Sequence, residues 1–282
     1  MSQEQHSRDA ILKASRAYYA HRAYYADLLD QGARTRARMK RELDFLESIF
    51  RAHATFQVND ILDVACGNGR HIIGLARRGY RCVGSDYTPE RVDVAKSRAR
   101  SEHVSLKLSQ GDATKLAYEN EFDATLALYI LFLLPDDDDV QKCLRQIYRS
   151  LKPGGIMVCN IFNPLSEKNQ TLMHKCNIQK TSARGIRCMD IDRVEDYDRV
   201  HGVTWWDETS VIEAPDGTHV FRDHERMRLF TYWEILHYLQ TAGFKEIKCY
   251  LDWKTKPSKK LKADQLVFVA QKPDTPIPPR KK

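Results

Sequence analysis

The chain reads as an α/β protein built on a mostly parallel sheet, and three observations carry that reading. Short apolar runs alternate with helical patterns from about residue 58 to residue 162. The run Ile61-Leu62-Asp63-Val64 passes through a small-residue turn, Ala65-Cys66-Gly67-Asn68-Gly69, into a helical pattern that opens near Arg70. A second apolar run, Tyr80 to Gly84, ends beside an acid, Asp86. Strands separated by helices pair in parallel through right-handed crossovers.

Residues 8 to 52 are helical. A first helix carries Tyr18-Tyr19 and Tyr24-Tyr25, and Gly32 separates it from a second. In the second, Met39, Leu43, Leu46 and Ile49 recur at three- and four-residue spacing and make a core-facing stripe. Val58 to Val64 is a strand, Ile72 to Arg78 a helix ended by Gly79, and Arg81 to Gly84 a strand. Pro89 starts the next helix, where its missing N–H costs nothing. Val104 to Ser109 and Phe122 to Leu128 are strands. Pro135 and Asp136 to Asp139 open a helix running to about Ser150, and acids there complement the helix dipole. Leu151-Lys152-Pro153-Gly154-Gly155 is a turn before the strand Ile156 to Ile161.

After Asn163 the pattern changes, and residues 163 to 200 are mixed and polar. Val203 to Ile212 is rich in strand formers, Pro215-Asp216-Gly217 marks a turn, and Thr218 to Leu229 resumes a partial alternation, which is a hairpin signal. Thr231 followed by Glu234 is a capping-box pattern for a helix that ends at Gly243. Phe244 to Trp253 and Gln265 to Gln271 are the last strands, and the Pro-rich basic end is expected to be disordered.

A length of 282 residues suits one large domain or a domain with an elaborated cap. Hydrophobic content of 42%, charged content of 29% and a mean hydropathy of −0.55 describe a soluble chain with enough apolar residues for a core. No apolar run reaches the roughly 18 residues of a membrane-spanning helix, and the polar start Met1 to His6 lacks the core of a secretion signal. The seven Cys form no Cys-x-x-Cys pair, so a reducing, cytoplasmic setting is expected. No metal-ligand spacing stands out. The net charge of +7 is concentrated in residues 33 to 41, in Lys254, Lys256, Lys259, Lys260 and Lys262, and in Arg280 to Lys282. These clusters are either solvated surface or contacts to nucleic-acid phosphates.

The small-residue turn is where ligand chemistry is expected. Glycine lets a ligand approach the backbone closely, and the helix start beyond it offers unpaired N–H groups. An acid after the second strand, here Asp86, can accept hydrogen bonds from a ribose diol. The segment therefore reads as a nucleoside-binding crevice. It is not the dinucleotide fingerprint, because the third Gly of Gly-x-Gly-x-x-Gly falls on Ile72. No Gly-Lys-Ser/Thr follows either, so it is not a P-loop.

The loop resembles the acid-x-Gly-x-Gly-x-Gly loop of the class I S-adenosylmethionine-dependent methyltransferases of the small-molecule type. Asp63, Gly67 and Gly69 match it, and Ala65 replaces the first Gly. Further matches follow in the family's order: Gln110-Gly111-Asp112-Ala113 after strand 3, Phe122 to Tyr129 at strand 4, and Leu151 to Gly155 before strand 5. The resemblance implies a Rossmann-like, seven-stranded, mostly parallel sheet with an antiparallel last strand, a helical N-terminal cap and an inserted hairpin. It divides the chain into a cap (1–52), a cofactor-binding core (53–162), an inserted cap and hairpin (163–230), the rest of the core (231–272) and a disordered tail (273–282). It implies S-adenosyl-L-methionine as cofactor. Asp63, Ala65, Gly67 and Gly69 would cradle the methionine portion. Asp86, with Tyr87 beside it, would bind the ribose, Asp112 and Ala113 the adenine, and Tyr129 would face the methyl group.

A bound sulfonium already holds the reactive carbon and its leaving group, so alignment and water exclusion are the protein's main tasks. A base is needed only if the acceptor must lose a proton. Tyr129 and His71 are the catalytic candidates. Tyr129 otherwise belongs to the core, and His71 otherwise orients the cofactor carboxylate or is a solvated helix-start side chain. Tyr25, Trp205 and Arg226 are the candidate substrate-binding residues, the last two as an aromatic wall and a carboxylate clamp; plain packing is their alternative. The expected function is methyl transfer to a nitrogen or oxygen of a small-molecule acceptor, with no membrane partner. Two other readings stand beside it: methylation of RNA or protein docked on the basic clusters, and a non-catalytic nucleoside-binding module.

Overall fold

The computed structural model describes residues 7–30, 33–172, 176–183, 185–198, 200–256 and 263–274. Residues 275–282 of the expected tail, and Gly32, Lys259, Lys260 and Lys262, lie outside them. The described elements begin with α1 (Arg8–Asp30) and α2 (Ala33–His53). The core follows as β1 (Asp60–Val64), α3 (Arg70–Ala76), β2 (Arg81–Asp86), α4 (Pro89–Ser101), β3 (Lys107–Gln110), β4 (Phe122–Ala127), α5 (Asp137–Ser150) and β5 (Leu151–Phe162). After α6 (Glu167–Leu172) come β6 (Asn177–Ala183), β7 (Ile186–Asp198), β8 (Val203–Ala214) and β9 (Gly217–Arg228). The chain then returns to the core with α7 (Tyr232–Thr241), β10 (Lys245–Leu251) and β11 (Gln265–Gln271).

Seven strands form the main sheet in the order β10-β11-β5-β4-β1-β2-β3. Pairings from β3 through β5 are parallel, and β11 is antiparallel to both β5 and β10. The Rossmann-like sheet with its antiparallel final strand is therefore present as expected. Its central strands are buried on both faces, and every residue of β4 is buried, which is why they read as continuous apolar runs rather than alternations. One face packs on α5 and α7 through Leu144, Ile147, Ile235 and Leu239. The other packs on α2, α3 and α4 through Leu46, Ile49, Ile72 and Ala99. Burying each large aliphatic side chain contributes about 1.5–3 kcal/mol.

Local signals place the helices. Asp136 caps α5 by accepting from Asp139 N at 2.8 Å. Thr231 and Glu234 form the reciprocal capping box of α7. The Leu151 to Gly155 stretch, expected as a turn, is the start of β5, with Gly154 at φ 79°, and the register with β4 slips between Phe122 and Ala124.

The hairpin is β8 with β9, paired from Val203↔Arg228 to Ala214↔Gly217. It belongs to a larger unit, because β6 and β7 extend it into a four-stranded antiparallel sheet in the order β6-β7-β8-β9. Helix α1 packs between β9 and α4. No described helix is long and apolar enough to cross a membrane.

Candidate functional site

At the carboxyl ends of β1 to β4 a cavity of about 340 Å³ opens beneath α1. Its floor is the β1–α3 turn. Ala65, Gly67 and Gly69 take left-handed backbone conformations, with φ of 59°, 55° and 77°. Ala65 holds there a conformation that costs a non-glycine residue about 1–2 kcal/mol. A Cβ on Gly67 would sit 2.5 Å from Arg91 Nη2, so the absence of a side chain makes room for the Arg91 guanidinium beside the turn. A Cβ on Gly69 would meet Ile73 Cδ1 at 2.9 Å and Ala95 Cβ at 3.2 Å, so that glycine permits close packing of α3 on α4.

Asp86 ends β2 and is buried. Its Oδ2 accepts from Gly67 N at 2.8 Å and its Oδ1 from Thr88 N at 2.9 Å. A carboxylate offers about four acceptor positions, so capacity remains for hydroxyl donors. Asp112 follows β3; its Oδ1 accepts from Thr114 N at 2.8 Å and Thr114 Oγ1 at 2.7 Å. Burial pulls the Asp112 carboxyl upward, but the Thr114 hydrogen bonds and the Lys115 charge outweigh it and hold it below the usual carboxylate range. Tyr87, Gly111 and Ala113 complete this side of the wall.

The roof comes from α1, which presents Arg8, Leu12, Ser15, Arg16 and Tyr19 to the cavity. Three contacts seat it. Arg8 Nε and Nη2 donate to Asp139 Oδ2 and Oδ1 at 2.8 and 3.2 Å. Asn68 Nδ2 donates to Ala23 O at 3.0 Å, and the Arg91 guanidinium lies 4.6 Å from the Tyr19 ring centroid.

His71 and Tyr129 also line the cavity. Tyr129 follows β4 with φ of 60°, and its N donates to Asn160 Oδ1 at 2.9 Å. His71 Nε2 lies 2.8 Å from Glu42 Oε2. The Tyr129 hydroxyl donates to Gln265 Oε1 at 3.3 Å and reaches Glu42 Oε1 at 3.5 Å. Gln265 Oε1 also accepts from Trp253 Nε1 at 2.7 Å. The rings of His71, Tyr129 and Trp253 lie nearly parallel, with centroids 6.2 to 6.5 Å apart. Burial pushes the His71 imidazole down despite Glu42 beside it. Burial also acts on the Glu42 carboxyl, upward, but the His71 hydrogen bond and the nearby cations hold it below its usual range. The Tyr129 phenol is raised by burial and then by the Glu42 charge.

Ala65, Gly67, His71, Asp86, Tyr87, Asp112, Ala113 and Tyr129 are thus brought together around one cavity. Asp63 and Gly69 do not line it. Asp63 is buried in β1, and burial, then the Asp86 charge, push its carboxyl up to about 8 against the opposing pull of Arg70.

The three expected acceptor residues are not among those that line the cavity. Tyr25 packs against His219 and Phe221 of the second sheet, because α1 turns that part of itself toward β9 rather than toward the core. Trp205 is buried and stacked on His224 at 5.0 Å. Arg226 aims Nη1 at Leu134 O, 3.5 Å away, and burial pushes its guanidinium down. Sequence reasoning missed Glu42, Arg8, Tyr19 and Arg91. Glu42 had a signal: three residues after Met39 and four before Leu46, it lies on the apolar stripe of α2, where an acid needs a partner.

The model of the methyltransferase domain family matches residues 61–155. A demethylmenaquinone methyltransferase of Deinococcus radiodurans is 35% identical over 107 residues, 37% of this chain and 43% of that protein. A glycine/sarcosine N-methyltransferase of Parasynechococcus marenigrum is 33% identical over 141 residues, 48% of this chain and 49% of that protein. The chain spans less than half the length of these curated relatives. Among solved structures, an S-adenosylmethionine-dependent methyltransferase from Clostridium acetobutylicum superposes with a TM-score of 0.71 over 89% of this chain and 98% of that one, at 19% identity. An amino pentose methyltransferase from Micromonospora echinaspora, with S-adenosylmethionine bound, superposes with a TM-score of 0.65 over 82% of this chain and 90% of that one, at 21% identity. At these identities the likeness establishes the fold.

Proposed function

We propose that this chain, whose residues 61–155 match the methyltransferase domain family, transfers a methyl group from S-adenosylmethionine to a nitrogen or oxygen of a small-molecule acceptor. The observation that carries this reading is the convergence of Gly67, Asp86 and Asp112 on one cavity. The cavity lies in the roughly 300–1,000 Å³ range of small-molecule sites. The residues fit the cofactor's chemistry. The Ala65 to Asn68 backbone would hold the methionine end, Asp86 the ribose hydroxyls, and Asp112 with Ala113 the adenine edge. When bound, the cofactor supplies an electrophilic methyl carbon on a positively charged sulfur.

The chain's own part is to orient and to exclude water. Helix α1 closes the cavity and is pinned to the core by Arg8 on Asp139. Tyr129 and His71 border the space left for an acceptor. This roof favours a small acceptor over a polymer. Part of the 33–41 basic cluster is also already engaged: Lys40 pairs with Asp44 and Arg38 with Glu42. The curated relatives include a glycine/sarcosine N-methyltransferase and a ubiquinone biosynthesis O-methyltransferase, names that support an N or O acceptor.

The test is release of S-adenosylhomocysteine from the full chain with small amines (glycine and amino sugars), small phenols and total RNA as separate probes. Release with an amine or phenol supports the proposal, whereas release with RNA alone overturns the small-acceptor assignment.

A further inference from the structure

We propose that Glu42 is a positioning residue that fixes His71 as the proton acceptor of the reaction, so that the methyl acceptor is a group arriving with an N–H or O–H proton to lose. This inference rests on the methyl-transfer reading above.

The argument begins with Glu42 itself. Its carboxylate is 1% exposed, on a helix face otherwise made of Met39, Leu43 and Leu46. A buried carboxylate is expensive unless it is hydrogen-bonded, and the 2.8 Å contact to His71 Nε2 is its closest partner. Arg38 Nε lies 3.5 Å from Oε1, as does the Tyr129 hydroxyl. A carboxylate only accepts, so the proton of a neutral His71 ring sits on Nε2 and Nδ1 is the bare nitrogen. His71 belongs to the cavity wall, so the chain presents a fixed-tautomer imidazole to whatever enters beside Tyr129.

The charges around the ring set its resting state. Glu42 and Arg38 face it from α2, Arg70 neighbours it on α3, and the phenol of Tyr129 faces it after β4. Trp253 adds a neutral ring. Burial and the two guanidinium groups disfavour imidazolium, and Glu42 favours it. The ring therefore rests neutral, and Glu42 stabilises the charge once a proton arrives.

The step balances. A lone pair of the acceptor nitrogen or oxygen bonds the methyl carbon, the carbon–sulfur pair stays on sulfur, and the N–H or O–H proton passes to His71 Nδ1, leaving its bonding pair on the acceptor atom. A cationic sulfonium, a neutral acceptor and a neutral imidazole become a neutral thioether, a neutral methylated acceptor and an imidazolium beside Glu42. A group with no proton to give, such as a thioether or tertiary amine, gains nothing from this arrangement.

A plain structural tie between α2 and α3 would show the same short contact, so the test reads the ring directly. Nitrogen-15 NMR of the full chain labelled at histidine reports which ring nitrogen carries the proton, and His71→Gln assigns the signal. The expected result is the Nε2–H tautomer in the wild type. Glu42→Gln keeps an acceptor oxygen, so it retains that tautomer while the His71 titration moves to lower pH. Glu42→Leu gives mixed tautomers. With an acceptor found by the probe screen, His71→Gln is expected to lose about 10²–10⁴-fold in kcat, the usual range for general acid–base catalysis. An Nδ1–H tautomer in the wild type overturns the inference, as does a titration indifferent to Glu42→Gln, while cofactor binding stands. Failure of the wild type to bind S-adenosylmethionine overturns the methyl-transfer reading, and this inference with it.

Discussion

Replacing Asp63 by Asn should make the protein more stable at neutral pH and remove much of its pH dependence. The side chain is buried in β1, and its carboxyl is pushed from an ordinary 3.8 up to about 8. Between those values the unfolded chain is ionised while the folded chain keeps the proton. The folded value is the higher one, so stability is whole below about pH 4 and is lost as pH rises toward 8. Linkage sets the slope at about 1.4 kcal/mol per pH unit. From pH 5 to pH 8 the wild type therefore loses up to about 4 kcal/mol through this one group. Asn has nearly the same shape and does not titrate, so Asp63→Asn escapes that loss. Urea unfolding of both proteins at pH 5, 6, 7 and 8 measures it. The wild-type stability should fall more steeply than the variant's, and the two curves should diverge with pH. Parallel curves would refute the reasoning, because they would mean that Asp63 is ionised at little cost in the fold.

Other perturbations follow from the same geometry. Gly67→Ala must hold a left-handed conformation, at about 1–2 kcal/mol, and its Cβ displaces the Arg91 guanidinium; the protein should fold and bind S-adenosylmethionine at least tenfold more weakly by calorimetry. Arg8→Ala removes the paired hydrogen bonds that pin α1 to Asp139, whose side chain is 2% exposed. Limited proteolysis within residues 7–30 and stopped-flow cofactor release should both quicken. Leu126→Ala opens a void at a fully buried position of β4 and should cost about 2–5 kcal/mol in urea unfolding.

The core was legible because its rules are local. The Gly67 and Gly69 turn, the Pro89 helix start, the Asp136 cap and the Thr231–Glu234 box each need only a few neighbouring residues. So does the ligand side of the cavity, where Asp86 and Asp112 follow strand ends whose positions the sheet dictates. The second sheet was only half visible. In β7, acidic and basic residues such as Arg187, Arg193 and Glu195 interrupt the apolar alternation because the strand is largely solvated, so its sequence reads only as mixed and polar. Tyr25, Trp205 and Arg226 show a different limit. Each has the chemistry of an acceptor site, but how α1 and the second sheet rotate over the core depends on packing between distant segments. Glu42 lies between these cases: its place on an apolar stripe was readable, while its partner His71 came from another helix.

The most direct test of the central claim is calorimetric titration of the wild type and Asp86→Ala with S-adenosylmethionine and S-adenosylhomocysteine. Asp86→Ala leaves the Gly67 and Thr88 N–H groups without their acceptor, at about 1–3 kcal/mol each. Circular dichroism must therefore show the variant folded, with Asp86→Asn as the milder companion. Charge-assisted hydrogen bonds contribute roughly 1.5–3 kcal/mol each. Two lost to the ribose predict about a 10²–10⁴-fold weaker affinity in a folded variant. Wild type that binds neither ligand, or a folded Asp86→Ala that binds both as tightly as wild type, would contradict the account.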